Sequence, residues 1–389
     1  MNPPAVILRK GKDKALRNRH HWIFSGAVER FPEFEDGAIL PVSSSDSELV
    51  GYAYFNRKCS IVGRMVSFGS GAPIDAIGKT LQSAVLFRKM FFDEMTTAYR
   101  LVNGEGDRLP GLIVDRYGDH LVIQIATLGM EKLKPLILSI LVKQLRPRSV
   151  YEKSNIPSRQ EEGLPDQEGL LYGDLPESVE ILENGLRFLI DIAHSQKTGF
   201  FLDQREMRRL IGSLASERNI LDCFSYSGGF SVYALKGGAR SVSCVDLSEK
   251  ALGQSRENIR RNGYDAEKQN FYAEDVFRFL RDRDPGSDLV VLDPPAFAKK
   301  KTDVIQACRG YKDINRLAMQ KMPPGSLLLT CSCSYFVNDG LFQQVVFQAA
   351  HEAGRNVRIL QHHRQAFDHP VNIFHPESRY LKGFLLSVD

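Results

Sequence analysis

The chain has 389 residues, of which 43% are hydrophobic and 25% charged, a balance that suits two or three globular domains and excludes a disordered or fibrous chain. No stretch approaches the roughly 18 uninterrupted apolar residues of a membrane helix. The opening "MNPPAVILRKGKDKALRNRHHW" lacks the apolar run of a signal peptide, so a cytoplasmic protein is expected. Six cysteines give no disulfide framework, and a net charge of +4 is too small to indicate nucleic acid by itself.

The distribution of charge says more. Arg9, Lys10, Lys12, Lys14, Arg17 and Arg19 face one acid, Asp13, and His20, His21 and Trp22 follow directly. Cations leading to an aromatic ring suit a phosphate backbone with a stacked base, which makes Arg9, Lys10, Lys12, Arg17, Arg19 and Trp22 candidate nucleic-acid contacts. A solvated basic edge is the alternative. The segments "AVILRK", "GAILPV", "ELVGYAYF" and "SIVGRMV" read as short strands of a mostly β unit over residues 1–70, and "GSGAP" as a linker. Next come a helix in "IGKTLQSAVLFRKMFFDEM", a hairpin in "GLIVDRYGDHLVIQIA" and an amphipathic helix in "EKLKPLILSILVKQL". Residues 146–177 are polar and rich in Pro, Gly and acids, so a loop is expected there. Asn184-Gly185 marks a second hairpin, in "SVEILENGLRFLIDI".

From about residue 219 the pattern becomes regular. Apolar strands "NILDCF", "SVSCVDL", "NFYAEDV", "DLVVLDPP", "SLLLTCS" and "VRILQ" alternate with helical stretches, and "GFLLSVD" ends the chain. Such alternation means a parallel sheet covered on both faces, whose ligands bind at the carboxyl ends of the strands. The first strand ends in "LDCFSYSGGFSVYAL": Asp222 leaves the sheet, and Ser227-Gly228-Gly229 are small enough for a ligand to approach the backbone. This is not G-x-G-x-x-G, which disfavours a dinucleotide dehydrogenase. Asp246, at the second strand end, can accept hydrogen bonds from both hydroxyls of a ribose. Asp275, at the third, can take an adenine amino group or cap a helix. Together they describe an adenosine site without a phosphate cradle.

The fourth strand ends in "VVLDPPAFAKKK", where Asp293 precedes two prolines that hold the backbone extended. Phe297 could stack on a base, and Lys299 and Lys300 could hold phosphate. The fifth runs into Thr330-Cys331-Ser332-Cys333-Ser334. Two cysteines supply half a zinc site, and His362 and His363 lie outside any ligand-spaced motif, so no metal is expected. A thiol nucleophile beside an adenosine site and a carboxylate is the better reading. One cysteine is expected in the core and the other in the cleft.

These segments, with "CVDLSEKAL", "DVFRFL", "ACRGYKDINRLAMQ" and "DHPVNIFHPESRYLKGF", resemble the bacterial 23S ribosomal RNA methyltransferases that make 5-methylcytosine, class I enzymes dependent on S-adenosylmethionine. The likeness covers nearly the whole chain: "VILRKGKDKALRNRHHWIFSGAV" is similar to the family's PUA RNA-binding domain, "GEGDRLPGLIVDRYGDHLV" to its middle domain and "HSQKTGFFLDQR" to its cofactor segment. It implies a PUA β-barrel over 1–72, a small α+β domain over 73–192, and over 193–389 an α/β, Rossmann-like class I methyltransferase domain with a seven-stranded, mostly parallel sheet. The partner implied is 23S ribosomal RNA or a large-subunit precursor, with no membrane, and the resemblance suggests a homodimer. Lys197, Thr198, Gly199, Phe200, Asp203 and Arg205 would cap S-adenosylmethionine, with Asp222, Phe224, Ser225 and Gly228 along its methionine side. Asp246 would hold the ribose and Asp275 the adenine, with Leu247, Val276 and Asp293 completing the cofactor set.

The chemistry implied is covalent. C5 of cytosine is a poor nucleophile, and a thiolate adding to C6 makes it enamine-like. The resemblance selects Cys333 as nucleophile and leaves Cys331 to the core, where the family commonly has an apolar residue. Asp293 would hydrogen-bond the ring as it gains charge, and Lys299 or Lys300 would favour the thiolate. Two rivals stand beside this reading: methylation of a purine nitrogen through the Asp-Pro-Pro turn, which needs neither cysteine, and a ribosome assembly factor without catalysis.

Overall fold

Alternating apolar residues close the N-terminal segment into a six-stranded sheet in the order Trp22–Phe24, Ile61–Phe68, Leu49–Phe55, Ile39–Ser43, Val6–Leu8, Val28–Arg30. The structure, a computed structural model, describes residues 4–195, 198–284 and 286–389. Its chain forms two units: Met1–Asn184 with Ile190–Leu202 and Phe367–Ser378, and Gly185–Leu189 with Asp203–Ala366 and Arg379–Asp389.

Two hydrophobic cores lie among the described residues of the first unit. One, around Val6, Leu8, Ile23, Val42, Phe55 and Met65, fills the six-stranded sheet. The four expected strands are present; Trp22–Phe24 and Val28–Arg30 join them and, at three residues each, are too short for alternation to reveal. In the second core, helices Pro73–Lys89 and Leu128–Leu145 place Ile77, Leu81, Ile137 and Leu141 together with Val114 and Ile123. The sheet here runs Glu168–Gly173, Ser149–Lys153, His120–Ile125, Leu112–Tyr117, Ala98–Asn103.

Two of those strands correct the loop expected over 146–177. Ser149–Lys153 hides two charges that make its sequence look like surface. Glu152 is buried because Lys134 donates to Oε2 at 2.9 Å and Ser154 to Oε1 at 2.8 Å. Lys153 donates instead to the backbone carbonyls of Ile192 and Ser195, at 3.0 and 2.6 Å. Paired in this way, buried charges are tolerated in a strand, and composition alone cannot show the pairing. Arg88, fully buried, forms two 2.6 Å bonds with Asp107 and one of 2.7 Å with the Asp368 carbonyl, which fastens Phe367–Ser378 to this unit.

Asn184 and Gly185 are both left-handed, with φ of 51° and 78°, as a type I′ turn requires. The second unit is built on a seven-stranded sheet in the order Asn270–Ala273, Ser241–Asp246, Asn219–Cys223, Leu289–Leu292, Ser326–Ser332, Lys382–Val388, Val357–His363. Neighbours are parallel except around Lys382–Val388, which runs antiparallel to both its partners and sets Gly383 opposite Cys331 and Lys382 opposite Ser332. Strand residues Leu221, Val245, Val290, Leu328 and Phe384 pack with Phe279, Tyr311 and Phe342 from the flanking helices. The strand order reverses at Asn219–Cys223, which puts its carboxyl end, and those of its neighbours, where a ligand is expected. No helix of the described residues is long and apolar enough to cross a membrane.

Candidate active site at the carboxyl edge of the sheet

Beyond Asn219–Cys223 the backbone turns tightly: Phe224, Tyr226 and Gly228 all have positive φ, at 61°, 48° and 76°. Such conformations are costly for residues with side chains and persist where the surroundings impose them. Gly228 begins the helix Gly229–Lys236, and a Cβ there would lie 2.1 Å from Ser255 Oγ and 2.9 Å from its Cβ. Gly228 thus allows a close approach to a neighbouring helix, Glu249–Arg261. Asp222 is buried as well, its Oδ2 accepting from Ser231 at 2.6 Å; burial pushes its carboxyl up to about 7, against the lowering effect of that bond.

Asp246, half-buried at its strand end, organises this loop. Its Oδ2 accepts the Tyr226 N–H at 2.9 Å and its Oδ1 the Ser248 N–H at 2.8 Å, each oxygen keeping a lone pair for a further donor. Leu247 beside it is 73% exposed, an apolar surface at the sheet's edge. Asp275 caps Val276–Asp282, its Oδ1 accepting from Arg278 N–H at 2.9 Å, the helix-cap role expected of it. Val276 lies in the core.

At the next two strand ends the thiols meet the Asp-Pro-Pro turn. Asp293 Oδ1 accepts from Gln204 Nε2 at 2.7 Å, and Cys333 Sγ lies 3.9 Å from the Pro294 carbonyl oxygen. Asp203, next to Gln204, accepts from the Tyr380 hydroxyl at 2.6 Å, and Arg205 opens the helix Arg205–Leu214 with its side chain buried. Cys331 is buried against Met207, Sγ to Sδ 3.6 Å, and burial drives its thiol well above the ordinary range. Cys333 is half-buried. Strand alternation does not separate the two, because residues two apart on a strand share a face. The strand ends at Ser332, and the turn that follows carries Cys333 to the Pro294 carbonyl. Ser334 is pinned: its Oγ accepts from Ala298 N–H at 3.0 Å and lies 2.9 Å from the Tyr311 hydroxyl, while its carbonyl accepts from Lys382 at 2.7 Å.

Known proteins are similar to this chain along its whole length. The family model of the S-adenosylmethionine-dependent methyltransferases matches residues 160–358, and that of the PUA-like domain residues 6–68. Ribosomal RNA large subunit methyltransferase I of Aliivibrio fischeri is 41% identical over 392 residues, covering 99% of each chain, and that of Vibrio cholerae 42% identical over 397 residues, again covering 99% of each. The chain belongs to this methyltransferase family. A solved structure from Streptococcus mutans, described as a candidate SAM-dependent methyltransferase, superposes over the whole of both chains with a TM-score of 0.84 at 24% identity, which speaks to the fold.

The cofactor of this methyltransferase is S-adenosylmethionine, and the residues present fit it. Asp222 Oδ1, Ser225 Oγ and Ser227 Oγ are buried with no hydrogen-bond partner among the described residues. Orphaned polar atoms in one strand-to-helix loop are atoms that a polar ligand would satisfy. The expected caps divide differently. Lys197 lies outside the described residues. Thr198, Gly199 and Phe200 belong to the first unit, where Thr198 donates to Asp115 at 2.6 Å and the Phe200 N–H to the Tyr117 hydroxyl at 3.1 Å.

The nucleic-acid candidates also divide. Arg17 pairs with Asp13 and Glu48, each at 2.6 Å, and Arg9 Nε donates to the Val28 carbonyl. Trp22 donates to Glu105 at 2.9 Å with its ring 4.5 Å from that of His375, so the indole is held inside the unit rather than offered to a base. Lys10 and Lys12 are exposed, and Arg19 lines a groove of about 660 Å³ with His21, Phe68, Lys79, Arg108 and Phe374. In the second unit Phe297 is packed between Tyr311 and Phe277, at 4.6 and 6.0 Å, as part of the core rather than as a stacking platform. Lys299 and Lys300 are exposed on a loop whose N–H groups Asp303 accepts.

His20, His375 and Glu377 cluster in the first unit. The Trp22 N–H donates to His20 Nδ1 at 3.2 Å, which leaves the ring proton on Nε2, 3.0 Å from His375 Nδ1. This is a hydrogen-bonded network, and no metal is assigned to it. Gln204, Tyr311, Ser334 and Lys382 join the site only in the structure. Gln204 stands inside the cofactor segment "FFLDQR", and Lys382 had one signal, a charge directly ahead of an apolar strand.

Proposed function

We propose that this chain is a cytoplasmic enzyme that methylates C5 of a cytosine in 23S ribosomal RNA, with Cys333 as nucleophile. The observation that supports it best is the placing of a half-buried thiol against the Asp293-Pro294 turn, at the sheet edge where the family's cofactor binds. Asp222, Ser225 and Ser227 offer orphaned atoms for the amino-acid end of S-adenosylmethionine, and Asp246, Leu247 and Asp275 line the strand ends for its nucleoside. Bound there, the cofactor supplies an electrophilic methyl group. The RNA base must first leave its stack, at a cost of a few kcal/mol.

Cys333 sulfur then bonds to C6, and the C5–C6 π pair moves to C5, which gains the nucleophilicity it lacks. Asp293, steadied by Gln204, accepts a hydrogen bond from the cytosine amino group as the ring's charge redistributes. Once C5 carries the methyl group, a base removes its proton, the C5–C6 double bond re-forms, and the pair in the S–C6 bond returns to Cys333. Cys331 takes no part, because its buried thiol stays protonated. Lys10, Lys12 and the cations of the Arg19 groove are proposed to hold the RNA backbone.

The test is transfer of labelled methyl from S-adenosylmethionine to unmodified 23S RNA, followed by nucleoside analysis. The wild type and Cys331→Ala are expected to give 5-methylcytosine, and Cys333→Ala to lose at least about a thousandfold in rate. A labelled purine, or an active Cys333→Ala, would show that the Asp-Pro-Pro turn carries nitrogen methylation instead.

A further inference from the structure

The last strand of the sheet opens with a lysine that faces no water. Lys382 is 3% exposed, and its Nζ donates to the carbonyls of Ser334 and Tyr380, both at 2.7 Å. Among the described residues no carboxylate lies within ion-pair distance of it, and the nearby acid, Asp339, is paired with Arg364. Burying an ammonium in this way works against folding unless a negative group shares the space. Carbonyl dipoles satisfy two of its protons and leave the charge in place.

The negative group available is the nucleophile. Ser334 follows Cys333 directly, so the carbonyl that Lys382 grips belongs to the residue next to the thiol. The antiparallel register that pairs Lys382 with Ser332 fixes this proximity through the backbone. Of the ionisable groups near Cys333, the Cys331 thiol and the Tyr311 hydroxyl are pushed up by burial and stay neutral. Lys299 and Lys300, the cations expected from the sequence, are in solvent.

We propose that Lys382 is a positioning residue of this active site: its buried ammonium fixes the Ser334 carbonyl and holds the adjoining Cys333 as the thiolate that attacks C6. The inference deepens the cysteine chemistry proposed above and rests on it. Burial brings Lys382 down to about 8, with Asp339 and Cys333 opposing that fall and Arg364 adding to it, and an amine titrating there is mostly ammonium at neutral pH. No proton leaves Lys382 in the cycle. When sulfur bonds to C6 its charge passes into the cytosine ring, and when that bond breaks the pair returns to a sulfur beside the same cation.

Full-length wild type, Lys382→Met and Lys382→Arg would be alkylated with iodoacetamide across pH, and modification of Cys333 followed by fragment mass spectrometry, which separates it from Cys331. In the wild type Cys333 is expected to titrate below the ~8.5 of a free cysteine. Lys382→Met should raise that midpoint by about one pH unit, with about tenfold slower alkylation at pH 7, and Lys382→Arg should restore most of it. A merely structural lysine would leave the midpoint unmoved. A wild-type midpoint at or above ~8.5, or equal midpoints in wild type and Lys382→Met, overturns the inference; the first result decides even if Lys382→Met does not fold. Loss of methyl transfer in Cys333→Ala alongside equal midpoints would sink the lysine's role alone, whereas an active Cys333→Ala would remove the nucleophile itself.

Discussion

The basic arm of the first unit and the carboxyl edge of the second unit's sheet contain equally suggestive residues, and the structure uses them differently. In the arm, Arg17 is taken up by Asp13 and Glu48, and Trp22 by Glu105 and His375. At the sheet edge, Asp246, Asp293 and Cys333 each stand at or just beyond a strand end, with their local bonds shaping the loop around them. The difference is topological. A surface cation pairs with whatever acid the chain folds beside it, whereas a parallel sheet delivers every strand end to the same side.

Two measurements sharpen this contrast. The larger effect belongs to Asp222, a strand-end acid the fold has buried. Its carboxyl binds a proton up to about 7 in the folded state and only to the ordinary 3.8 in the unfolded chain. Between those values the native state holds more protons, so raising pH across the window removes stability, by up to about 1.4 kcal/mol per pH unit. Denaturant titrations of the wild type from pH 4 to 7 should show this decline relative to Asp222→Asn, in which no proton is released; parallel curves would mean the carboxyl is ionised in the fold. The smaller effect belongs to the arm. Arg17→Ala should change affinity for a 23S fragment by less than about twofold, because its charge is already engaged, while Lys10→Ala with Lys12→Ala should lower the salt slope by about one for each phosphate no longer neutralised. Equal slopes in the wild type and the double variant would remove the arm from the RNA interface.

Much of the fold could be read from the chain because apolar strands of a two-sided sheet announce themselves: all seven expected strands of the methyltransferase sheet are present. Asn184-Gly185 was equally readable, since its turn depends on the two residues alone. Ser149–Lys153 was not, because Glu152 and Lys153 look like surface until Lys134 and the carbonyls of Ile192 and Ser195 are folded against them. The site divides on the same line. Residue type and strand position marked Asp246, Asp293 and the two cysteines. What told Cys331 from Cys333 was where the strand stops, and Lys382 comes from a strand that reaches the site only through antiparallel pairing at the far end of the sequence.

The most direct test of the account is to offer the enzyme, with S-adenosylmethionine, a 23S fragment carrying 5-fluorocytosine in place of cytosine. After methyl transfer C5 then has no proton to lose, so the Cys333–C6 bond cannot be released. The account predicts an RNA-linked peptide whose attachment point is Cys333, formed by the wild type and by Cys331→Ala and absent from Cys333→Ala. Methylation without any covalent adduct, or an adduct at another residue, would contradict it.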